Sequence, residues 1–149
     1  MMRNIFLIFI FLLTSCGYQP LYVKENSNPV TFSEIELVGD KDINKQILSS
    51  ASIKTDEKSF LYKKLTIKND KKIVETSRDS KGQPSSYRMI LNLEMTINDK
   101  NDNLIQKSFV QQFEYKNMTN KFELSEYESD IENDLIDRII EQVIIYINI

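Results

Sequence analysis

The sequence predicts an α+β fold: two helices packed on one face of a four-stranded, mainly antiparallel sheet, in the order β-α-β-β-β-α. Three observations lead there. Tyr87, Met89, Leu91, Leu93, Met95 and Ile97 alternate with mostly polar neighbours, the period of a strand with one covered face. Tyr127, Ile131, Leu135, Ile139 and Val143 step by four, the pattern of a helix with an apolar stripe. Turn-forming clusters at 79–85 (with Gly82 and Pro84) and 98–103 flank the alternating run, so two hairpins join three consecutive strands.

The elements follow in order. Thr31 to Val38 has strand character, with Ile35 and Leu37 on one face and Phe32 and Val38 near its ends. Gly39-Asp40 ends it. A short helix is expected from about Asp40 to Ser50, capped by Asp40 or Asp42, with Ile43, Ile47, Leu48 and Ala51 at helical spacing. Ser52 to Ser59 is polar and reads as loop. Leu61 to Ser77 reads as a long strand in which Asn69-Asp70-Lys71-Lys72 disturbs the period, so a bulge is expected near Asn69. After the central strand, Ile105, Phe109, Phe113 and Tyr115 share a face of the next. The last helix is expected to start at Ser125, whose spacing to Glu128 fits a capping box. Its acidic early turns suit the helix dipole, and Ile136, Ile140, Ile144 and Ile147 broaden its stripe. Late isoleucines are mediocre helix formers, so this helix depends on packing, and a terminal strand at 143–149 competes with it.

The N-terminus sets compartment and attachment. Arg3 precedes a nine-residue apolar run, Ile5 to Leu13, within the ~7–15 of a secretory signal and short of the ~20 that span a membrane. Leu13-Thr14-Ser15-Cys16 resembles the bacterial lipobox, in which the cysteine is S-diacylated, the bond before it is cut and the new amine is acylated. That implies cleavage between Ser15 and Cys16, and three acyl chains on Cys16; an ordinary signal peptide with an incidental cysteine is the alternative. Stable anchoring takes at least two chains, so such a protein stays on its membrane. Gly17, rather than an aspartate, points to the outer membrane. The chain then divides into a signal peptide (1–15), a lipidated tether (16–29) and a single α+β domain (30–149).

Composition excludes several chemistries. The 149 residues contain no His, three Gly and one Cys, at a net charge of −3. The commonest general base and metal ligand is missing, no disulfide can form, and no glycine loop or nucleophile elbow is present. No nucleic-acid partner, no metal and no cofactor beyond the covalent lipid on Cys16 are expected. Asp130, Asp134 and Asp137 sit at helical spacing and read as a solvated face rather than catalytic carboxylates, so the chain reads as a non-enzyme. Charge is uneven: Lys54 to Arg88 holds ten basic and five acidic residues, Glu114 to Glu141 nine acidic and three basic. The basic stretch reads either as a solvated, lysine-studded strand or as a contact for an anionic glycolipid or an acidic surface.

Cys16-Gly17-Tyr18-Gln19-Pro20-Leu21-Tyr22 resembles the mature N-terminus of the LPS-assembly lipoprotein family LptE, particularly of the alphaproteobacterial type. The resemblance continues through Ser77-Arg78-Asp79, Tyr87-Arg88-Met89-Ile90-Leu91, and the acidic-to-apolar stretch from Tyr127 to Ile140. It implies a plug-like domain on the periplasmic side of the outer membrane, held by its lipid anchor. There it would fill the lumen of the LPS-translocon β-barrel, assist that barrel's assembly and contact lipopolysaccharide. Family members that bind LPS use basic side chains, and local charge nominates Arg78, Lys81 and Arg88. The alternative is a generic outer-membrane lipoprotein that binds a hydrophobic ligand or another envelope-assembly complex.

Overall fold

A computed structural model describes residues 29–56, 63–101 and 103–147. Its elements are β1 (Val30–Phe32), β2 (Glu34–Val38), α1 (Lys41–Ser50), β3 (Ile53–Thr55), β4 (Lys63–Arg78), β5 (Pro84–Asp99), β6 (Leu104–Lys116) and α2 (Lys121–Ile147). The four-stranded sheet runs β2-β4-β5-β6; β2 and β4 are parallel and the other pairs antiparallel. The parallel pair needs a crossover, and α1 lies within it. The predicted α+β class, with two helices and a four-stranded, mainly antiparallel sheet, holds.

The alternating run forms the centre of the core. Met89, Leu91, Leu93 and Met95 are buried, facing Leu65 and Ile67 of β4 and Phe109 of β6 across the register. Ile43 and Ile47 of α1 and Ile131, Leu135, Ile139 and Val143 of α2 close the same cluster. A fully buried Leu or Ile contributes roughly 1.5–3 kcal/mol, several times the propensity penalty of a late isoleucine. Packing therefore holds α2 helical to Ile147 and excludes a terminal strand over its described length.

Several expectations are corrected. Thr31–Val38 is not one strand. It breaks at Ser33, whose N–H and hydroxyl both donate to the Lys63 carbonyl, at 3.0 and 2.9 Å. β1 then pairs in parallel with β3, while β2 joins the main sheet. The segment expected as loop from Ser52 thus contains a strand, β3, and residues 57–59 lie outside the described residues, as do Leu61 and Tyr62 at the expected start of β4. No bulge occurs at Asn69: the register runs unbroken from Lys63 to Glu75 and shifts only between Glu75, Ser77 and Arg78. Asn69 keeps its place in the inward row because its amide is satisfied there. Its Oδ1 accepts the Asp40 N–H and its Nδ2 donates to the Asp40 carbonyl, both at 2.9 Å. The turns are also shorter than expected, since Pro84 already belongs to β5, which runs through Asn98 to Asp99.

Asp40 caps α1 as expected, accepting from the N–H groups of Asp42 and Ile43. Those bonds hold its carboxyl below the usual aspartate range. α2, however, begins four residues before Ser125. Asn120 caps it, its Oδ1 accepting the Phe122 N–H at 3.0 Å and its amide donating to Glu123 at 2.8 Å. Ser125 lies inside the helix, and the glutamate of its expected box, Glu128, bonds elsewhere.

Candidate hairpin surface

The residues nominated by charge lie at or near the β4–β5 hairpin end. Asp79 organises its turn: its Oδ1 accepts from the N–H groups of Lys81 and Gln83, and its carbonyl accepts the Gly82 N–H. Gly82 has a φ of 79°, a conformation open to glycine at no steric cost. The turn thus leaves Lys81 exposed at the tip.

The structure separates the three cations by role. Arg78 turns inward on its own hairpin, donating to the Gly82 carbonyl at 3.1 Å and pairing with Glu75. Arg88 sits further down β5, paired with Glu114 of β6 at 3.0 Å. The same carboxylate accepts from Thr76 at 3.1 Å, and the two donors, Arg88 first, hold Glu114 below the usual glutamate range. Arg88 aligns with Val74 and Pro84 with Arg78, so about four strand positions, roughly 13 Å, separate the arginine rows. They do not converge on one point. Among the described residues no carboxylate pairs with Lys81, so its ammonium remains available to an anion.

Against the hairpin strands lies a cleft that no sequence motif signals. About 670 Å³ in volume, it is walled by Ser77, Ser85 and Ser86 on one side and by Phe113, Met118 and Tyr127 on the other. The hydroxyls form a connected ladder, with Thr76–Ser86, Ser77–Ser85 and Ser77–Ser86 contacts each of 2.6 Å. The register shift at Thr76 brings this hydroxyl beside Ser86; such a shift is set by strand pairing and carries no composition cue.

The floor of the cleft is fixed by Tyr115. Its ring lies between Tyr87 and Tyr127, at centroid distances of 5.8 and 6.2 Å, and its hydroxyl donates to Glu128 at 2.6 Å. Burial first, then the Glu128 carboxylate, raise the phenol well above its ordinary value. A raised folded-state value means stability is full below about pH 10, the unfolded phenol's range, and falls above it as the unfolded chain deprotonates first. Tyr115→Phe is expected to cost about 1–2 kcal/mol at neutral pH by removing a charge-assisted bond. The difference from the parent should shrink above about pH 10, as urea melts across pH 7–11 would show. A difference that stays constant across that range would show that folding does not raise the phenol.

Asp130, Asp134 and Asp137 are exposed, and Asp134 pairs with Arg138 at 2.8 Å, the solvated helix face that the spacing suggested. Among the described residues no group of His, Cys, Asp or Glu is placed to hold a metal. No described helix is long and apolar enough to cross a membrane. Cys16 and the Ser15–Cys16 bond lie outside the described residues.

Residues 18–147 match the lipopolysaccharide-assembly family LptE. The chain belongs to that family. Its fold agrees with solved lipoproteins of low sequence identity. The crystal structure of rare lipoprotein B from Shewanella oneidensis superposes with a TM-score of 0.62 at 10% identity, covering 77% of this chain and 93% of that one. A minor lipoprotein from Acinetobacter baumannii gives 0.55 at 15%, covering 78% and 90%. The solution structure of lipoprotein B from Nitrosomonas europaea gives 0.50 at 12%, covering 85% and 88%. No curated protein sequence matches the chain. At these identities the structural likeness speaks for the fold, and the family assignment carries the role: an LptE-type lipopolysaccharide-assembly lipoprotein.

Proposed function

We propose that this LptE-family chain is the lipoprotein subunit of the outer-membrane LPS translocon. It is lipidated at Cys16, lies on the periplasmic side, and plugs the β-barrel that inserts lipopolysaccharide. The family match across residues 18–147 carries this reading. The fold supports it. One face of the sheet is covered by helices, while the other presents Arg88, Ile90, Asn92, Glu94, Thr96 and Asn98 along β5, with exposed Val74 and Val110 on the neighbouring strands, a mainly polar surface compatible with a water-filled lumen. The role is binding rather than catalysis.

Affinity purification of the tagged protein in mild detergent should recover a large outer-membrane β-barrel, and recovery of the lipoprotein alone would sink the proposal. Lipopolysaccharide contact is assigned first to Lys81, because the two arginines are already neutralised by Glu75 and Glu114. Lys81→Glu is expected to weaken LPS binding several-fold, while Arg88→Glu acts mainly by breaking its pair with Glu114. Unchanged binding by the triple variant Arg78→Glu/Lys81→Glu/Arg88→Glu would remove the hairpin from the LPS path.

A further inference from the structure

The two edges of the four-stranded sheet are built differently. At one edge β2 is five residues long and covers β4 only from Lys64 to Lys68. Beyond it β4 carries Lys71 and Lys72, and its register then shifts between Glu75 and Arg78. Short strands, lysines and register breaks keep an edge from recruiting further strands. β6, at the other edge, lacks these devices along its middle. It pairs with β5 in unbroken register over 13 residues and contains no proline. Among the described residues no strand lies on its outer side. From Ser108 to Phe113 it carries no charge, and Val110 and Phe113 are 53% and 36% exposed. A strand edge of this kind is a template for pairing with another strand.

A groove of about 400 Å³ runs beside this edge between β6 and α2, with Phe109, Val110, Ile145 and Tyr146 among its walls. Tyr146 meets Phe109 edge-on, with ring centroids 5.8 Å apart, and Ile145 is exposed. A cavity of ~150 Å³ holds a benzene ring, so the groove admits a phenyl group. The strand carries such a group itself. Phe113 shares the helix-side row with buried Phe109 and Tyr115 but is left exposed. An antiparallel second β6, laid along the first with a two-fold at Gln111, sets each Phe113 opposite the other copy's Phe109, at the groove. We propose that β6 pairs in this way with β6 of a second copy of the chain, so that each Phe113 seats in the other's groove.

The strand is complementary to itself in this register. Val110 faces Gln112, Ser108 faces Glu114, Gln106 faces Lys116 and Lys107 faces Tyr115, so no two like charges meet. A two-fold interface requires that self-complementarity, since every contact is made twice. A closed β-barrel has no free edge and cannot supply the added strand. The pairing therefore belongs to the lipoprotein away from any barrel and does not rest on the translocon reading.

The test uses the full-length, acylated protein in excess mild detergent, with the parent chain as baseline. Cys16 is the only native cysteine, so in the acylated protein an introduced cysteine is the sole free thiol. Gln111→Cys should join two copies by a disulfide about tenfold faster or more than Gln106→Cys, because pairing brings two residues 111 together. Two residues 106 on the same paired strands lie ten positions apart, roughly 34 Å. Equal rates would mean that copies merely share a micelle, and no disulfide at Gln111→Cys would mean that the strands do not pair; either overturns the proposal. Sedimentation adds an independent reading. The parent should be a dimer, and Gln111→Lys or Gln111→Glu alone should weaken it several-fold by setting like charges face to face. A mixture of the two variants should restore the dimer, with Tm unchanged throughout. A monomeric parent, or a mixture no tighter than either variant alone, overturns the proposal.

Discussion

Gly39→Ala is expected to destabilise the domain by about 2–4 kcal/mol, lowering the melting temperature by roughly 10 °C. Two independent costs meet at this position. Gly39 has a φ of 98°, a conformation that L side chains rarely adopt. A methyl group there would lie 2.3 Å from the Asn69 carbonyl oxygen and 2.8 Å from Asn69 Oδ1. The first neighbour is sheet backbone, which cannot move without disturbing β4. The second is the amide that clamps the Asp40 backbone from both sides. Gly39 therefore joins β2 to the cap of α1 at a point where the chain crosses directly over β4. Any side chain there must push α1 off the sheet or break the clamp. A melt within 2 °C of the parent would show that α1 can be displaced cheaply, contrary to the burial of Ile43 and Ile47 beneath it.

The same crossing shows which parts of the fold were readable in advance. Gly39-Asp40 announced the end of a strand and a cap because both signals are local. The central strand and α2 were readable because each repeats one apolar pattern over many residues. Ser33 gave no such signal: the break there is held by bonds to Lys63, thirty positions away in sequence. β3 is three residues long and exists only through its pairing with β1. Asn69 looked like an interruption because its polarity was visible and its partner, the backbone of Asp40, was not. Ser125 offered a sound capping box, yet α2 gains buried contact by Leu124 from starting at Asn120, and packing overrode the local motif.

The hairpin divides in the same manner. Its positive charge was legible from composition, but whether that charge is available was not. Glu75 lies near Arg78 in sequence, and pairing between them could have been anticipated from a hairpin. Glu114 reaches Arg88 only through the β5–β6 register. Of the three candidate cations, Lys81 is the one that no described carboxylate pairs with, and the hydroxyl-lined cleft carries no sequence signal.

Cys16→Ala is expected to abolish acylation and remove the protein from the outer-membrane fraction. Acyl burial contributes about 0.8 kcal/mol per methylene, and one chain binds only marginally, so three chains make attachment effectively permanent while none leaves almost no affinity. The nine-residue apolar run ahead of Cys16 cannot substitute, because it falls short of the ~20 residues that span a bilayer. Labelled palmitate incorporation, followed by fractionation, measures both effects. Label retained in the variant would refute lipidation at Cys16. Label lost with the protein still in the outer membrane would mean that contact with the barrel alone suffices to hold it, and that residue is then separable by repeating the fractionation in cells depleted of the barrel. If the lipid instead supplies most of the attachment, its contribution to plugging is one of concentration: it confines the domain to the surface where the barrel is built.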